Sequence, residues 1–269
     1  MKIFAIKSDS TGEKVLAYLI YHERAKQFSI ELPDAADEWE TPLLLSSFAK
    51  RGVRSINPYW SMEWVRQRII PPDRQNIGMI LKENGLPEYD EYKLLVLSGG
   101  RCAQDDCYIE RMNRDSLPDE IRSRALKRID DVVPLSENRL LVFFRDGSVK
   151  KCGIESLANA RHFVPILCNE VLFSSVKVQT DGIGVTWGEG LEIPAESLYA
   201  SGEKRSLTHE DFKSYAAACI TDTEGACALL DCTRQNISDL VKKGKLHPLH
   251  VFSSGYIFLL SELRQRMWS

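Results

Sequence analysis

The sequence predicts an α+β protein built from several domains. Short strand-like runs open the chain and recur in its middle, and helical spacing of apolar residues fills much of the remainder. A length of 269 residues also exceeds what one small hydrophobic core usually holds. The 35 Lys and Arg face 38 Asp and Glu, a formal net charge of -3, which excludes a surface that is basic all over. A basic face on one domain remains compatible with this balance.

The first block, residues 1–112, is predicted to open with a β-meander and to continue with helices. Three strand-like runs come first: Lys2–Lys7, Val15–Tyr21 and Gln27–Leu32. Helical spacing follows in four segments: Pro42–Arg51, Ser61–Ile70, Arg74–Asn84 and Tyr89–Leu97. Pro71-Pro72 must break any helix there, because neither ring nitrogen can donate a hydrogen bond. A polar stretch, residues 113–129, is expected to form a linking helix.

The middle block, residues 130–202, has the short runs of a small β-rich α+β domain. Leu140–Phe144 and Ser148–Cys152 flank Arg145-Asp146-Gly147, which predicts a tight hairpin. Three further strand-like runs follow: Val176–Gln179, Gly184–Trp187 and Leu191–Ile193. Ser201-Gly202 marks the expected boundary with the last block.

The last block, residues 203–269, is predicted to be helical apart from one strand pair. Asp222 or Thr223 can cap a helix, because a short side-chain oxygen accepts hydrogen bonds from the amides of the first turn. The buried side of that helix would carry Ala226, Leu229 and Leu230. Asp231-Cys232 supplies the following turn, since Asp tolerates the left-handed backbone that a turn residue can need.

A second helix is predicted directly after this turn. Thr233 caps it, and it runs from Arg234 to about Lys243, where Gly244 ends it as a C′ glycine. The residues at helical spacing for the core are Ile237, Leu240 and Val241. Beyond this helix, two strand-like runs, His250–Phe252 and Tyr256–Leu259, predict a β-hairpin wing. A last helix is predicted over Ser261–Arg266.

The remaining face of the second helix carries side chains suited to DNA. Gln and Asn pair with adenine edges, Arg pairs with guanine, and lysines contact phosphates. The predicted DNA contacts on or beside this helix are Thr233, Arg234, Gln235, Asn236, Ser238, Lys242, Lys243 and Lys245. The wing is expected to add His250, Ser253 and Ser254. From Asp231 onward, six basic residues oppose three acidic ones, and Arg264 and Arg266 are counted among the six.

The order of apolar, turn and basic positions over Thr223–Leu246 resembles the winged helix-turn-helix of excisionase and MerR-type regulators. This resemblance implies a winged helix-turn-helix fold and binding to double-stranded DNA. Two positions depart from that pattern. The family usually has an acidic residue where Gly225 stands and a glycine where Asp231 stands.

Residues 15–108 resemble the N-terminal subdomain of HipA-type toxin kinases, which in split systems is a separate antitoxin-like protein. The resemblance rests on a meander followed by several short matches: Thr41–Phe48, Arg51-Gly52, Trp60, Trp64, Ile70–Arg74, Tyr92–Leu95, Gly99–Arg101 and Asp105. Cys102 and Gln104 depart from the family pattern. The middle block resembles a small bacterial domain family of unknown function, often found beside predicted toxins. Its matching positions include Leu140–Phe144, Asp146-Gly147, Phe173, Trp187 and Leu198-Tyr199.

These patterns favour a bacterial or phage-derived DNA-binding regulator of antitoxin type. Its expected partners are double-stranded DNA, a toxin or kinase-like protein, and a second copy of the chain. The alternative is a protein-interaction module that docks a kinase-like toxin without binding DNA. The sequence offers no assembled catalytic site, cofactor motif or metal-ligand spacing, and we expect no enzyme activity. The seven thinly spread cysteines and the lack of a signal-peptide or membrane-spanning pattern favour a cytoplasmic protein.

Overall fold

The computed structural model describes residues 1–155, 157, 160–188, 190–204 and 206–269. The architecture is α+β with antiparallel sheets, as the sequence predicts. The chain divides into two compact units, residues 1–122 and 123–269. The first unit extends into the predicted linking helix, and the second contains both the middle and the last block.

The first unit is built on one antiparallel sheet whose strand order is β4-β3-β2-β1-β5. Its strands are β1 (Lys2–Ser8), β2 (Ala17–His22), β3 (Gln27–Glu31), β4 (Ser55–Ile56) and β5 (Cys107–Met112). Its helices are α1 (Leu43–Lys50), α2 (Pro58–Arg66), α3 (Ile77–Glu83) and α4 (Glu91–Ser98). The meander and the four helices were predicted. The strands β4 and β5 were not, because β4 has only two residues and β5 is a partly exposed edge strand.

Both faces of this sheet are covered. Successive residues of a strand point to opposite faces, so Phe4 and Ile3 enter different cores. Phe4 packs in a large cluster with residues of the helices, among them Leu45, Trp64 and Leu95. Ile3 packs in a smaller cluster on the other face with Tyr18, Ile20, Leu117 and Ile121.

The predicted linking helix is shorter than expected. A 3-10 turn covers Arg114–Ser116, the helix α5 covers Asp119–Leu126, and a strand begins at Ile129. The second unit then forms two small sheets, with strand orders β12-β8-β7-β6 and β11-β10-β9. Their strands are β6 (Ile129–Leu135), β7 (Arg139–Phe144), β8 (Val149–Gly153), β9 (Lys177–Val178), β10 (Gly184–Gly188), β11 (Leu191–Pro194) and β12 (Glu203–Lys204). The accompanying helices are α6 (Ala160–Leu167), α7 (Glu170–Ser174) and α8 (Ala195–Ser201).

The remainder of the second unit has the order helix, strand, two helices, hairpin, helix. Its elements are α9 (His209–Cys219), β13 (Ile220–Asp222), α10 (Thr223–Leu230), α11 (Arg234–Lys242), β14 (His250–Phe252), β15 (Gly255–Leu259) and α12 (Leu260–Trp268). The sequence predicted a strand pair, whereas the structure has a three-stranded sheet in the order β13-β15-β14. The core of this part contains Ala226, Ile237, Leu246, Phe258 and Leu263.

A buried carboxylate joins the last block to the middle sheet. Asp131 on β6 is 1% exposed and pairs with the guanidinium group of Arg264 on α12. The hydroxyl of Tyr215 on α9 donates to the same carboxylate at 3.2 Å. Burial raises the pKa of the Asp131 carboxyl, and the charge of Arg264 opposes that rise. The last block is therefore packed into the second unit.

None of the helices in the described part of the chain has the length and apolar character that crossing a bilayer requires.

Candidate nucleic-acid interface

The helix α10 begins and ends at residues whose chemistry dictates both boundaries. The Asp222 carboxylate accepts a hydrogen bond from the amide of Gly225 at 2.9 Å, which caps the first turn. At the other end, Asp231 adopts the left-handed conformation with φ 48° and ψ 55°. The amide of Cys232 then donates to the carbonyl of Cys227 at 3.1 Å, which closes the turn. The predicted cap and the predicted left-handed turn residue are both confirmed.

Gly225 occupies a position where a side chain would collide with its neighbour. A Cβ atom there would overlap the Thr221 hydroxyl oxygen. An acidic residue, which the resembling family usually has at this place, would require the Thr221 side chain to turn away. The glycine is therefore matched to the local packing in this chain.

The helix α11 is bounded by the predicted cap and the predicted glycine. The Thr233 hydroxyl accepts from the amide of Asn236 at 3.3 Å. Gly244 follows the helix at φ 61°, and the amide of Lys245 donates to the carbonyl of Leu240 at 2.9 Å. These features form a Schellman ending. Ile237 is fully buried, so the opposite face of α11 is directed outward.

The outward face of α11 presents most of the side chains predicted to contact DNA. The exposed ones are Thr233, Arg234, Gln235, Asn236, Lys242, Lys243 and, just beyond the helix, Lys245. Arg234 lies 3.6 Å from Glu224, but both side chains are strongly exposed, at 69% and 81%. Such a surface pair contributes little and leaves the guanidinium group free to change partner.

Ser238 is placed differently from the other predicted contacts. It is only half-exposed, and its hydroxyl lies 3.3 Å from the phenol oxygen of Tyr256 on β15. This contact joins α11 to the wing. Ser238 therefore has a hydrogen-bond partner within the fold, and it lies at the edge of the outward face of α11.

The wing is the hairpin of β14 and β15, whose tip is Ser253-Ser254. The predicted wing contacts His250, Ser253 and Ser254 are all exposed. Three apolar side chains beside them are also half-exposed or more: Leu249, Val251 and Phe252. Sequence reasoning missed these three, because apolar residues of a strand are normally expected to face a core. The sequence signal for an apolar rather than a basic wing was the absence of lysine and arginine from residues 247–259.

The positive charge of this surface is smaller than the sequence count suggested. Arg264, counted among the basic residues, is paired with Asp131 instead of facing outward with α11. The exposed cations on and beside α11 are Arg234, Lys242, Lys243 and Lys245. Glu224 and Asp231 are exposed nearby, and Asp239 is half-buried. The surface is therefore modestly basic.

The cysteines of this region serve as packing residues. Cys227 and Cys232 are partly buried against the core of the last block. Burial raises the pKa of the Cys232 thiol, which keeps it protonated at neutral pH. Within the described ranges, no group of three His, Cys, Asp or Glu side chains is placed to hold a metal ion.

No protein-family model, curated protein or solved structure matches this chain. The resemblances to excisionase and MerR-type regulators, to the HipA N-terminal subdomain and to the small bacterial domain family therefore stay predictions.

Proposed function

We propose that this chain is a sequence-specific DNA-binding transcription regulator of antitoxin type. The observation that carries the proposal is the outward display of Arg234, Gln235 and Asn236 on the first turn of α11. These three side chains can form the bidentate hydrogen bonds that distinguish guanine and adenine in the major groove.

The dimensions of α11 suit a duplex groove. A helix is about 10–12 Å across with its side chains, which matches a major groove about 12 Å wide, and the nine residues of α11 give roughly 13 Å of length along it. With the first turn at the base edges, Lys242 and Lys243 at the far end would contact phosphates. So few phosphate contacts imply weak binding by one copy, and a homodimer on paired half-sites would strengthen it.

A second function is favoured by the wing. Residues 247–259 contain no lysine or arginine, while Leu249, Val251 and Phe252 are exposed. Exposed apolar side chains in a segment without basic residues suit contact with a protein better than contact with phosphates. The second candidate is therefore a module that docks a kinase-like toxin partner without binding DNA.

Fluorescence anisotropy with labelled duplexes tests the first proposal. The probe is the region upstream of the gene for this chain, and the comparison is a scrambled duplex of equal length and composition. We expect tighter binding to the upstream region and a loss of roughly 10-fold or more in the double variant Arg234→Ala, Lys242→Ala. Arg139→Ala combined with Lys213→Ala is the matched control, because it removes the same charge from exposed side chains elsewhere in the second unit.

The two candidates give opposite results in a paired experiment. The regulator requires preference for the upstream duplex, with loss in the first double variant and retention in the control. The docking module requires equal, weak binding to both duplexes together with a stable complex with the product of the neighbouring gene. In the second case, Phe252→Ser should weaken that complex while Arg234→Ala leaves it intact.

A further inference from the structure

The first unit contains a cleft between α1 and α2. Its volume is about 400 Å³, and Gln104 and Asp105 close one side of it. This size lies within the range of sites that hold small organic molecules. The apolar part of its wall consists of Leu43, Leu44, Phe48, Trp60 and Trp64.

An unsatisfied donor lies in the wall of this cleft. Trp64 is fully buried, and its indole N–H has no hydrogen-bond partner in the first unit, all of which the structure describes. The guanidinium carbon of Arg68 lies 3.6 Å from the centroid of the Trp64 ring. A buried donor without an acceptor is costly, and such groups are rare in native proteins. This indole therefore requires an explanation that packing alone does not give.

The charges around the cleft favour an anion. Arg51 lies 4.9 Å from the centroid of the Phe48 ring, and its Nε donates to the carbonyl of Ser47 at 3.0 Å. These contacts hold its guanidinium group at the rim. The carboxylate of Asp105 is already paired with Arg68 and also accepts from the amide of Cys107 at 3.1 Å. Arg68, which is buried outside the lining, thus balances the charge of Asp105, and Arg51 is the lining cation whose charge no lining carboxylate opposes.

We propose that this cleft binds a small organic carboxylate with an apolar body. The carboxylate would accept hydrogen bonds from Arg51 and from the indole N–H of Trp64, while Phe48 and Trp60 contact the apolar part. The Trp64 N–H is shielded from solvent, so the carboxylate would reach it only with a shift of a neighbouring side chain of the cleft wall. The amides of Gln67 and Gln104 offer further donors at the same place. This site is independent of the proposed interface on α11.

The test uses 4-phenylbutyrate as the probe and the uncharged 4-phenylbutyramide as its isosteric comparison. Both are titrated into the full chain labelled with ¹⁵N, and the indole N–H resonances are followed by NMR. We expect 4-phenylbutyrate to move the Trp64 indole signal downfield in a saturable manner, because that N–H gains an acceptor. The Trp64→Phe variant assigns this signal by its disappearance. The amide should bind at least about 10-fold more weakly, since it lacks the charge.

Two variants separate recognition from packing. Arg51→Gln keeps an exposed polar side chain but removes its charge, and it should weaken 4-phenylbutyrate binding roughly 10-fold or more. Arg66→Gln is the control, because Arg66 is an exposed arginine on α2, the helix that carries Trp64, and is not part of the cleft wall. Equal affinity for the amide and the carboxylate, an unmoved Trp64 signal, or equal losses in the two arginine variants would each overturn the proposal.

Discussion

Thr223 and Tyr256 are joined by two reciprocal hydrogen bonds. The amide of Tyr256 donates to the Thr223 hydroxyl oxygen at 2.8 Å, and that hydroxyl lies 3.3 Å from the Tyr256 carbonyl. Thr223 is the first residue of α10, whereas Tyr256 lies on the wing strand β15. The fit is close, since a Cβ atom at Gly255 would lie 2.6 Å from the same hydroxyl. This single side chain therefore ties the wing to the first helix of the pair.

Replacing that hydroxyl should loosen the wing and lower stability. Thr223→Val keeps the shape of the side chain but leaves the Tyr256 amide without its acceptor. We expect the free energy of unfolding to fall by about 1–3 kcal/mol. Urea unfolding of the full chain, followed by circular dichroism, measures this change. Thr223→Ser retains the hydroxyl and should recover most of the loss, and equal losses in the two variants would show that the hydrogen bonds are unimportant.

Sequence reasoning succeeded where local chemistry decides the structure. The capping hydrogen bonds of Asp222 and Thr233 span three residues, and the left-handed residue Gly244 closes a turn of similar length. Residue type alone predicts features of this kind. The helices α10 and α11 and the strand β14 accordingly agree with the prediction to within about two residues, the ordinary uncertainty of such boundaries.

Sequence reasoning failed where a distant partner decides. The strand β13 has only three residues, and it is a strand because Thr221 pairs with Phe258 on β15. Nothing near Arg264 in the sequence reveals that it pairs with Asp131, so it was counted as a free cation. The exposed side chain of Phe252 was missed for a related reason, because the sequence does not show that all three residues of β14 are exposed.

Asp231 provides a test of backbone strain in the turn between α10 and α11. A residue without β-carbon adopts the left-handed conformation at no steric cost, whereas alanine there is disfavoured by about 1–2 kcal/mol. We therefore expect the stability order Asp231→Gly at the top, the unchanged chain next, and Asp231→Ala lowest. The Gly and Ala variants should differ by at least about 1 kcal/mol in urea unfolding. An Ala variant as stable as the Gly variant would contradict the left-handed backbone at this residue.

The pair Lys151–Asp211 should make the second unit sensitive to acid. The two groups lie 2.7 Å apart, and the hydrogen bond from Lys151 is the main cause that lowers the pKa of the Asp211 carboxyl from 3.8 to about 2. A carboxyl with a lowered pKa binds fewer protons in the folded state than in the unfolded state. The stability that the Asp211 carboxylate gives to the folded state is therefore complete above a pH of about 4 and is lost as the pH falls towards 2.

Asp211→Asn removes this titration, so comparing the variant with the unchanged chain measures how Asp211 affects stability at each pH. At neutral pH the variant should be less stable by up to about 2 kcal/mol. Between pH about 4 and 2 the stability of the unchanged chain should fall towards that of the variant. Urea unfolding at a series of pH values compares the two. Glu210→Gln is the control, because Glu210 is the exposed neighbour on α9 and pairs only with Lys213 among the contacts described. A constant stability difference across the acid range would contradict the prediction.

The proposed roles of the two ends of α11 can be separated by their dependence on salt. Phosphate contacts release counterions, so each one adds about 1 to the slope of log affinity against log salt concentration. Contacts to base edges add discrimination without adding to this slope. Lys242→Ala combined with Lys243→Ala should therefore weaken binding to every duplex alike and reduce the slope by about 2. Gln235→Ala combined with Asn236→Ala should leave the slope unchanged and reduce the preference for the upstream duplex by roughly 10-fold or more. Anisotropy titrations of both double variants at several salt concentrations measure slope and preference together. If the lysine variant lost preference and the amide variant lost slope, the first turn of α11 would not be the part that enters the groove.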